Sequence, residues 1–251
     1  MIRALYVAGL LAPVLFLLSV VLGGAHQPGY SHLADPVSAL GMSGAADGAA
    51  INGAWAVTGL LIMALGLALW RDSRSPGRVP GAALLVAGAA SAAIAVWFPM
   101  DPPGVPMSTA QAGHNGLVAL AAVAFAVAML TAAGSAAAPF AYRRLTWAAL
   151  GAMALGGAGA ALTHFLGWDW VGGFERITQG GYHGWLLMTG ATGLRGRWRR
   201  SLRRSGAQSP TPAPGPGVGR QGTGQARFRQ NPTPRKRKWY VLSGSNRGPS
   251  D

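Results

Sequence analysis

The side chains in this sequence that could do chemistry are its five histidines and a small number of acids. Asp101 and His114 stand in one polar segment, residues 98–115, between two long apolar runs. A carboxylate and a neutral imidazole can exchange protons with a substrate or bind a divalent metal ion. Asp101 and His114 are therefore the candidates for catalytic residues.

A metal site could be assembled from His114, His164 and His183, with Asp101 as a further ligand. This set of residue types is similar to that of membrane hydrolases of the alkaline-ceramidase type, which use histidines, an aspartate and a serine. The spacing gives no support, because the sequence contains no His-Glu-x-x-His motif and no two histidines four residues apart. A zinc-like metal and a lipid-like substrate are therefore the alternative interpretation, and no cofactor is expected.

The elements that must position these groups are apolar runs long enough to cross a membrane. Half of the residues are apolar, and they are concentrated in stretches of roughly 20 residues, the length that spans a hydrocarbon layer of about 30 Å. The sequence therefore predicts an all-α fold, a polytopic membrane bundle of six transmembrane helices. The predicted spans are residues 5–23, 51–70, 80–98, 109–133, 145–166 and 177–194.

The basic residues set the expected orientation. Arg3, the 71–78 turn, Arg143 with Arg144, and the C-terminal tail alternate along the chain with loops that are nearly free of Lys and Arg. The positive-inside rule then puts both termini in the cytoplasm of a multi-pass protein of the inner (plasma) membrane. All five histidines and five of the seven acids fall on the opposite, outer side.

The tail, residues 197–251, differs from the rest of the chain. Residues 195–251 carry fourteen basic residues and one acid, whereas residues 1–194 carry seven basic and six acidic residues. The tail is rich in Pro and Gly and too poor in apolar residues to form a core, so it is predicted to be disordered. Its expected partners are anionic lipid headgroups rather than nucleic acid. The oligomeric state stays open.

The first outer loop and the fourth helix show start and stop signals. Asp35 followed by proline predicts an N-cap, and Gly41 a stop, for a short helix. Ser108 with Gln111 is a capping-box pattern, which predicts that the fourth helix begins near Thr109.

If the outer polar groups are structural, they should satisfy one another. Asp101 would pair with Arg176 across the bundle, and His114 would bind a loop carbonyl. Glu175 and Arg176 are adjacent on a helix and point in different directions, so each is expected to find a separate partner.

Several short motifs together resemble a bacterial six-span membrane family known as domain of unknown function 998. They are Tyr30 with Asp35-Pro-Val-Ser38-Ala-Leu40-Gly41, Asn52 with Gly59, Phe98-Pro-Met-Asp101, His114-Asn115, and Glu175-Arg176 with Trp185. The resemblance covers about residues 5–195. It implies a six-helix integral membrane protein whose polar signature is Asp35, Ser38, Asp101, His114, Glu175 and Arg176. It implies no activity, and His26, His32, His164 and His183 are outside the pattern.

Three functional interpretations follow from these residues. The polar cluster at the outer side could be structural, it could bind a ligand or lipid, or it could form the metal-dependent hydrolase site. A structural or binding role is favoured over an enzyme, because the catalytic ingredients lack a supporting spacing. The ligand is not indicated by the sequence.

Overall fold

The computed structural model describes residues 1–72, 75–135 and 138–206, except for the side chains of His164 and of residues 197–206. Within these ranges the chain is helical and contains no strand. The tail predicted to be disordered begins at residue 197, but residues 197–206 continue the last helix; from residue 207 onward the tail lies outside the described residues. The helices are α1 (Ile2–His26), α2 (Gly48–Arg71), α3 (Arg78–Trp97), α4 (Thr109–Gly134), α5 (Phe140–Leu166) and α6 (Val171–Gly206), with a short 3₁₀ helix at Val37–Gly41.

The prediction of an all-α membrane protein with six helices is confirmed. Helices α1 to α5 are each long and apolar enough to cross a membrane. α6 is the most polar of the set and contains Thr178, Gln179 and His183 in its first half. The chain is therefore an integral membrane protein with multiple apolar helices.

The six helices lie next to one another in chain order, and α1 packs against α6 to close the bundle. The centre is filled by fully buried side chains from five of these helices, Tyr6, Leu65, Leu84, Met129 and Trp185. α4 and α5 pack least closely among the sequential pairs.

α2 and α3 approach each other through glycines. A Cβ added at Gly59 would lie 2.6 Å from the carbonyl oxygen of Gly88 and 2.8 Å from the amide of Ala92. Only a residue without a side chain allows these backbones to come so close. α2 and α3 are therefore the most extensively packed pair of helices in the bundle.

The first loop, residues 27–47, crosses one end of the bundle and contacts the 98–108 loop and the start of α6. Ser43 N–H donates to the Met100 carbonyl at 3.0 Å, and Gly173 N–H donates to the Leu33 carbonyl at 2.9 Å. These bonds fix the 3₁₀ helix between the 98–108 loop and the start of α6. The polar residues of three separate segments therefore meet at this end.

The predicted cap of the short helix is wrong. Pro36, not Asp35, occupies the N-cap position of Val37–Gly41. The Asp35 carboxylate turns back and accepts from Ser31 N–H at 2.6 Å, because this local loop bond competes with the cap.

Candidate functional site

Glu175, near the start of α6, caps the 3₁₀ helix. Its Oε2 accepts a hydrogen bond from Val37 N–H at 2.7 Å, and Val37 is only 2% exposed. A carboxylate at a helix N-terminus satisfies an N–H that has no partner within the helix. Burial raises the pKa of the Glu175 carboxyl, which precedes the predicted span at 177–194, while the Val37 bond and the charge of Arg176 lower it.

Arg176 points away from Glu175 and holds the first loop. Its Nη1 donates to the carbonyls of Asp35 (3.3 Å) and Gly172 (2.8 Å). Its Nη2 donates to the Tyr30 hydroxyl (2.7 Å) and to His32 Nδ1 (2.8 Å). The prediction that Glu175 and Arg176 find separate partners is confirmed.

Asp101 closes the start of α4 instead of pairing with Arg176, so the predicted pair is wrong. Its two carboxylate oxygens accept from Ser108 N–H at 2.8 Å and from Ser108 Oγ–H at 2.9 Å. Ser108 Oγ in turn accepts from Gln111 N–H at 3.1 Å, which confirms the predicted cap. The Gln111 side chain then accepts from Asp101 N–H at 2.7 Å. Hydrogen bonds within the loop therefore satisfy the Asp101 carboxylate in place of Arg176 across the bundle.

His114 lies on the second turn of α4 and is 7% exposed. Its Nδ1 is 2.8 Å from the Phe98 carbonyl oxygen, which confirms the predicted loop contact. Since a carbonyl only accepts, Nδ1 carries the proton and Nε2 is the acceptor of the neutral ring. Nε2 has no hydrogen-bond partner among the described residues.

A cavity of about 510 Å³ lies between the 3₁₀ helix, the 98–108 loop and helices α3 to α6. Its polar lining comes from Ser38, Ser91, Gln111, His114, Asn115, Glu175, Thr178, Gln179 and Tyr182. Of the six predicted cluster residues, the structure therefore brings Ser38, His114 and Glu175 to one cavity. Asp35, Asp101 and Arg176 hold the loops around it.

The lining contains one anionic side chain and no cation, while its neutral amides and hydroxyls can both donate and accept hydrogen bonds. Glu175 is the one formally charged side chain among the lining residues, which include no Lys or Arg. His114 Nε2 adds an acceptor. The nearest cation along the chain, Arg176, makes its bonds outside the cavity.

A smaller cavity of about 140 Å³ shares Ser38, His114 and Tyr182 with the first and reaches His183. The His183 ring stacks on Phe16 at 4.3 Å between centroids, and its Nδ1 is 3.1 Å from the Gln179 carbonyl oxygen. Its Nε2 is buried and has no hydrogen-bond partner in the described part of the chain. An unpaired buried acceptor beside a cavity calls for a donor from a ligand or an ordered water.

The described histidines and acids do not form the set of metal ligands that the hydrolase interpretation needs. Among the described side chains, no group of three or more His, Asp or Glu is placed to hold a metal ion. His114 and His183 line the same small cavity and each keeps Nε2 as an acceptor, but two histidines are fewer than the three protein ligands of a catalytic zinc site. The side chain of His164 is outside the described residues.

Three residues of the cavity, Thr178, Gln179 and Tyr182, are not among the residues predicted from the sequence. Together with Glu175 they follow the i, i+3, i+4, i+7 spacing that places residues on one face of a helix. A polar face within the weakest apolar span is the signal that could have found them. All four residues line the larger cavity.

The comparisons with known proteins agree with the architecture and add no activity. No curated protein and no solved structure matches the chain. The family model described as "Protein of unknown function (DUF998)" matches residues 10–192, which include all six helices in whole or in large part. With a match over more than half of its length, the chain belongs to the DUF998 family of proteins of unknown function.

Proposed function

We propose that this membrane protein binds a small amphipathic ligand in the larger cavity, and that the ligand carries a hydrogen-bond donor, best an ammonium group. The observation that carries the proposal is the Glu175 carboxylate, which enters a cavity lined by no cation. A partly buried carboxylate needs a charged or strongly polar partner. A ligand ammonium would supply that partner.

The hydrogen bonds already made within the lining support the same choice. One oxygen of Glu175 is committed to Val37 N–H, which leaves Oε1 for a ligand. His114 donates its Nδ1 proton to the Phe98 carbonyl, so its Nε2 can accept a hydrogen bond from the ligand. A head group that only accepts, such as a phosphate, would leave both groups unsatisfied.

The remainder of the cavity fits an apolar body. Below the polar groups its wall is formed by Val118, Phe125 and Met153, from α4 and α5. Apolar walls with a few placed polar groups are the usual form of a small-molecule site. A methionine in the wall also adapts to ligands of different shape.

The outer polar cluster then has two tasks in this proposal. Asp35, Asp101 and Arg176 hold the loops, while Ser38, His114 and Glu175 face the ligand. The positive-inside pattern orients the cavity mouth toward the extracytoplasmic side of the inner (plasma) membrane, with both termini in the cytoplasm.

The test is photoaffinity labelling of the full chain in nanodiscs with an alkylammonium that carries a diazirine in its chain. The proposal predicts labelled peptides from α4 and α5, and competition by the unlabelled amine but not by the alcohol of equal length. Glu175→Gln keeps an acceptor for Val37 N–H and should abolish this selectivity. Asp47→Asn removes an acid that does not line the cavity and should leave it unchanged.

Equal labelling of wild type and Glu175→Gln would contradict the proposed site, as would competition by the alcohol as strong as that by the amine.

A further inference from the structure

A groove of about 480 Å³ runs between α1 and α6, on the other side of α6 from the cavity. Its walls are apolar and include Pro13, Leu17 and Val21 from α1 and Leu187 from α6. Leu17 and Val21 are 62% and 50% exposed, so the groove faces outward from the bundle. From Arg176 to Leu187 it extends about 16 Å along α6 at 1.5 Å per residue.

Arg176 stands at one end of this groove as a cation without a carboxylate partner. Its two terminal nitrogens donate only to neutral groups: two backbone carbonyls, a hydroxyl and an imidazole nitrogen. Its Nε–H has no hydrogen-bond partner among the described residues. The guanidinium is therefore held in place by neutral groups and forms no ion pair within the described residues.

His32 extends the donor set at the same end. It lines the groove and is exposed. Its Nδ1 accepts from Arg176, so the proton of the neutral ring is on Nε2. Nε2–H is then a second donor beside the Arg176 charge.

From this arrangement we infer that the groove is a binding site for one anionic phospholipid. One acyl chain lies along the apolar walls between α1 and α6, and the headgroup phosphate meets Arg176 and His32. Charge complementarity selects the occupant: a zwitterionic lipid brings the same phosphate together with an ammonium that offsets it, so only a lipid with a net negative charge compensates Arg176. Gln179 lines both the groove and the ammonium-binding cavity, but their polar ends differ, because Glu175 and Arg176 leave α6 in different directions.

Substitutions at two glycines of α6 can fill the groove while leaving Arg176 and His32 unchanged. Gly180 and Gly184 line it, and a Cβ at either position meets no atom within 4 Å. Gly180→Leu and Gly184→Leu place a side chain where the acyl chain would lie. Gly53→Leu on α2 is the matched control, since Gly53 has the same open surroundings and is not in the groove.

The experiment is native mass spectrometry of the full chain released from nanodiscs that contain equal amounts of phosphatidylglycerol and phosphatidylcholine. Wild type and Gly53→Leu are expected to retain one phosphatidylglycerol in preference to phosphatidylcholine. Gly180→Leu and Gly184→Leu should lose that lipid at least fivefold, and Arg176→Gln should lose the preference. Every variant keeps the basic tail, so any lipid that the tail binds is the same in all of the proteins compared.

Retention of phosphatidylglycerol by Gly180→Leu at the wild-type level would overturn the inference, as would equal retention of the two lipids by wild type. Displacement of the lipid by inorganic phosphate alone would also overturn it, because the acyl chain would then contribute nothing. Glu175→Gln should bind the lipid normally, so this result does not depend on the ammonium site.

Discussion

Removing the Glu175 side chain tests whether α6 caps the 3₁₀ helix. In Glu175→Ala the Val37 N–H loses its acceptor, which lies 2.7 Å away, while Val37 itself stays buried at 2% exposure. A buried N–H left without a partner costs about 1–3 kcal/mol of unfolding free energy. We expect Glu175→Ala to be destabilised by that amount.

Glu175→Gln isolates the cause. Its amide oxygen can still accept from Val37 N–H, and the desolvation that raises the pKa of Glu175 is relieved when the charge is removed. Its unfolding free energy should fall by less than about 1 kcal/mol, since one neutral hydrogen bond replaces a charged one. The difference between the Ala and Gln variants then measures the unpaired N–H.

The assay is thermal unfolding of the detergent-solubilised full chain, followed by the fluorescence of its nine tryptophans. With about 2–4 °C per kcal/mol for chains of this size, Glu175→Ala should lower Tm by roughly 2–12 °C. The capping argument is refuted if Glu175→Ala melts like wild type, or if Glu175→Gln is destabilised as much as Glu175→Ala.

Three further outcomes follow from the contacts. Gly59→Ala should lower the unfolding free energy by about 1–3 kcal/mol, because its Cβ would meet the α3 backbone. Gly53→Ala should leave the unfolding free energy unchanged, because its Cβ meets no atom within 4 Å. Chemical denaturation of both variants measures the difference. Ser108→Ala should cost about 1 kcal/mol through loss of the α4 cap, measured in the same way. Binding of a primary alkylammonium probe should strengthen as pH rises through the elevated pKa of Glu175, because the carboxyl ionises there while the amine stays protonated. A pH titration of Glu175→Gln should be flat.

The six helices could be predicted from sequence because their lengths and apolar runs are local properties. The α4 start was equally local: Ser108 and Gln111 lie in the same turn, and the structure confirms their bond. The divergence of Glu175 and Arg176 follows from helix geometry alone, which sets consecutive residues about 100° apart. These features depend on no distant contact.

Partners across the bundle could not be predicted in the same way. The sequence predicts that the Asp101 carboxylate pairs with Arg176. In the structure the proline-rich loop folds so that Ser108 N–H and Oγ–H donate to the two Asp101 oxygens. Asp35 is likewise drawn to Ser31 within its own loop. The cap of the 3₁₀ helix comes from α6, 138 residues away from Val37 in sequence, and that pairing depends on how the helices close into a ring.

The most direct test of the account is the affinity of one alkylammonium and its matched alcohol for wild type and Glu175→Gln in nanodiscs. A charged hydrogen bond to Glu175 is worth about 1.5–3 kcal/mol, so wild type should bind the amine roughly tenfold to a hundredfold more tightly than Glu175→Gln does. The alcohol should bind both proteins equally. Equal amine affinity for the two proteins would contradict the assignment of the cavity as an ammonium site.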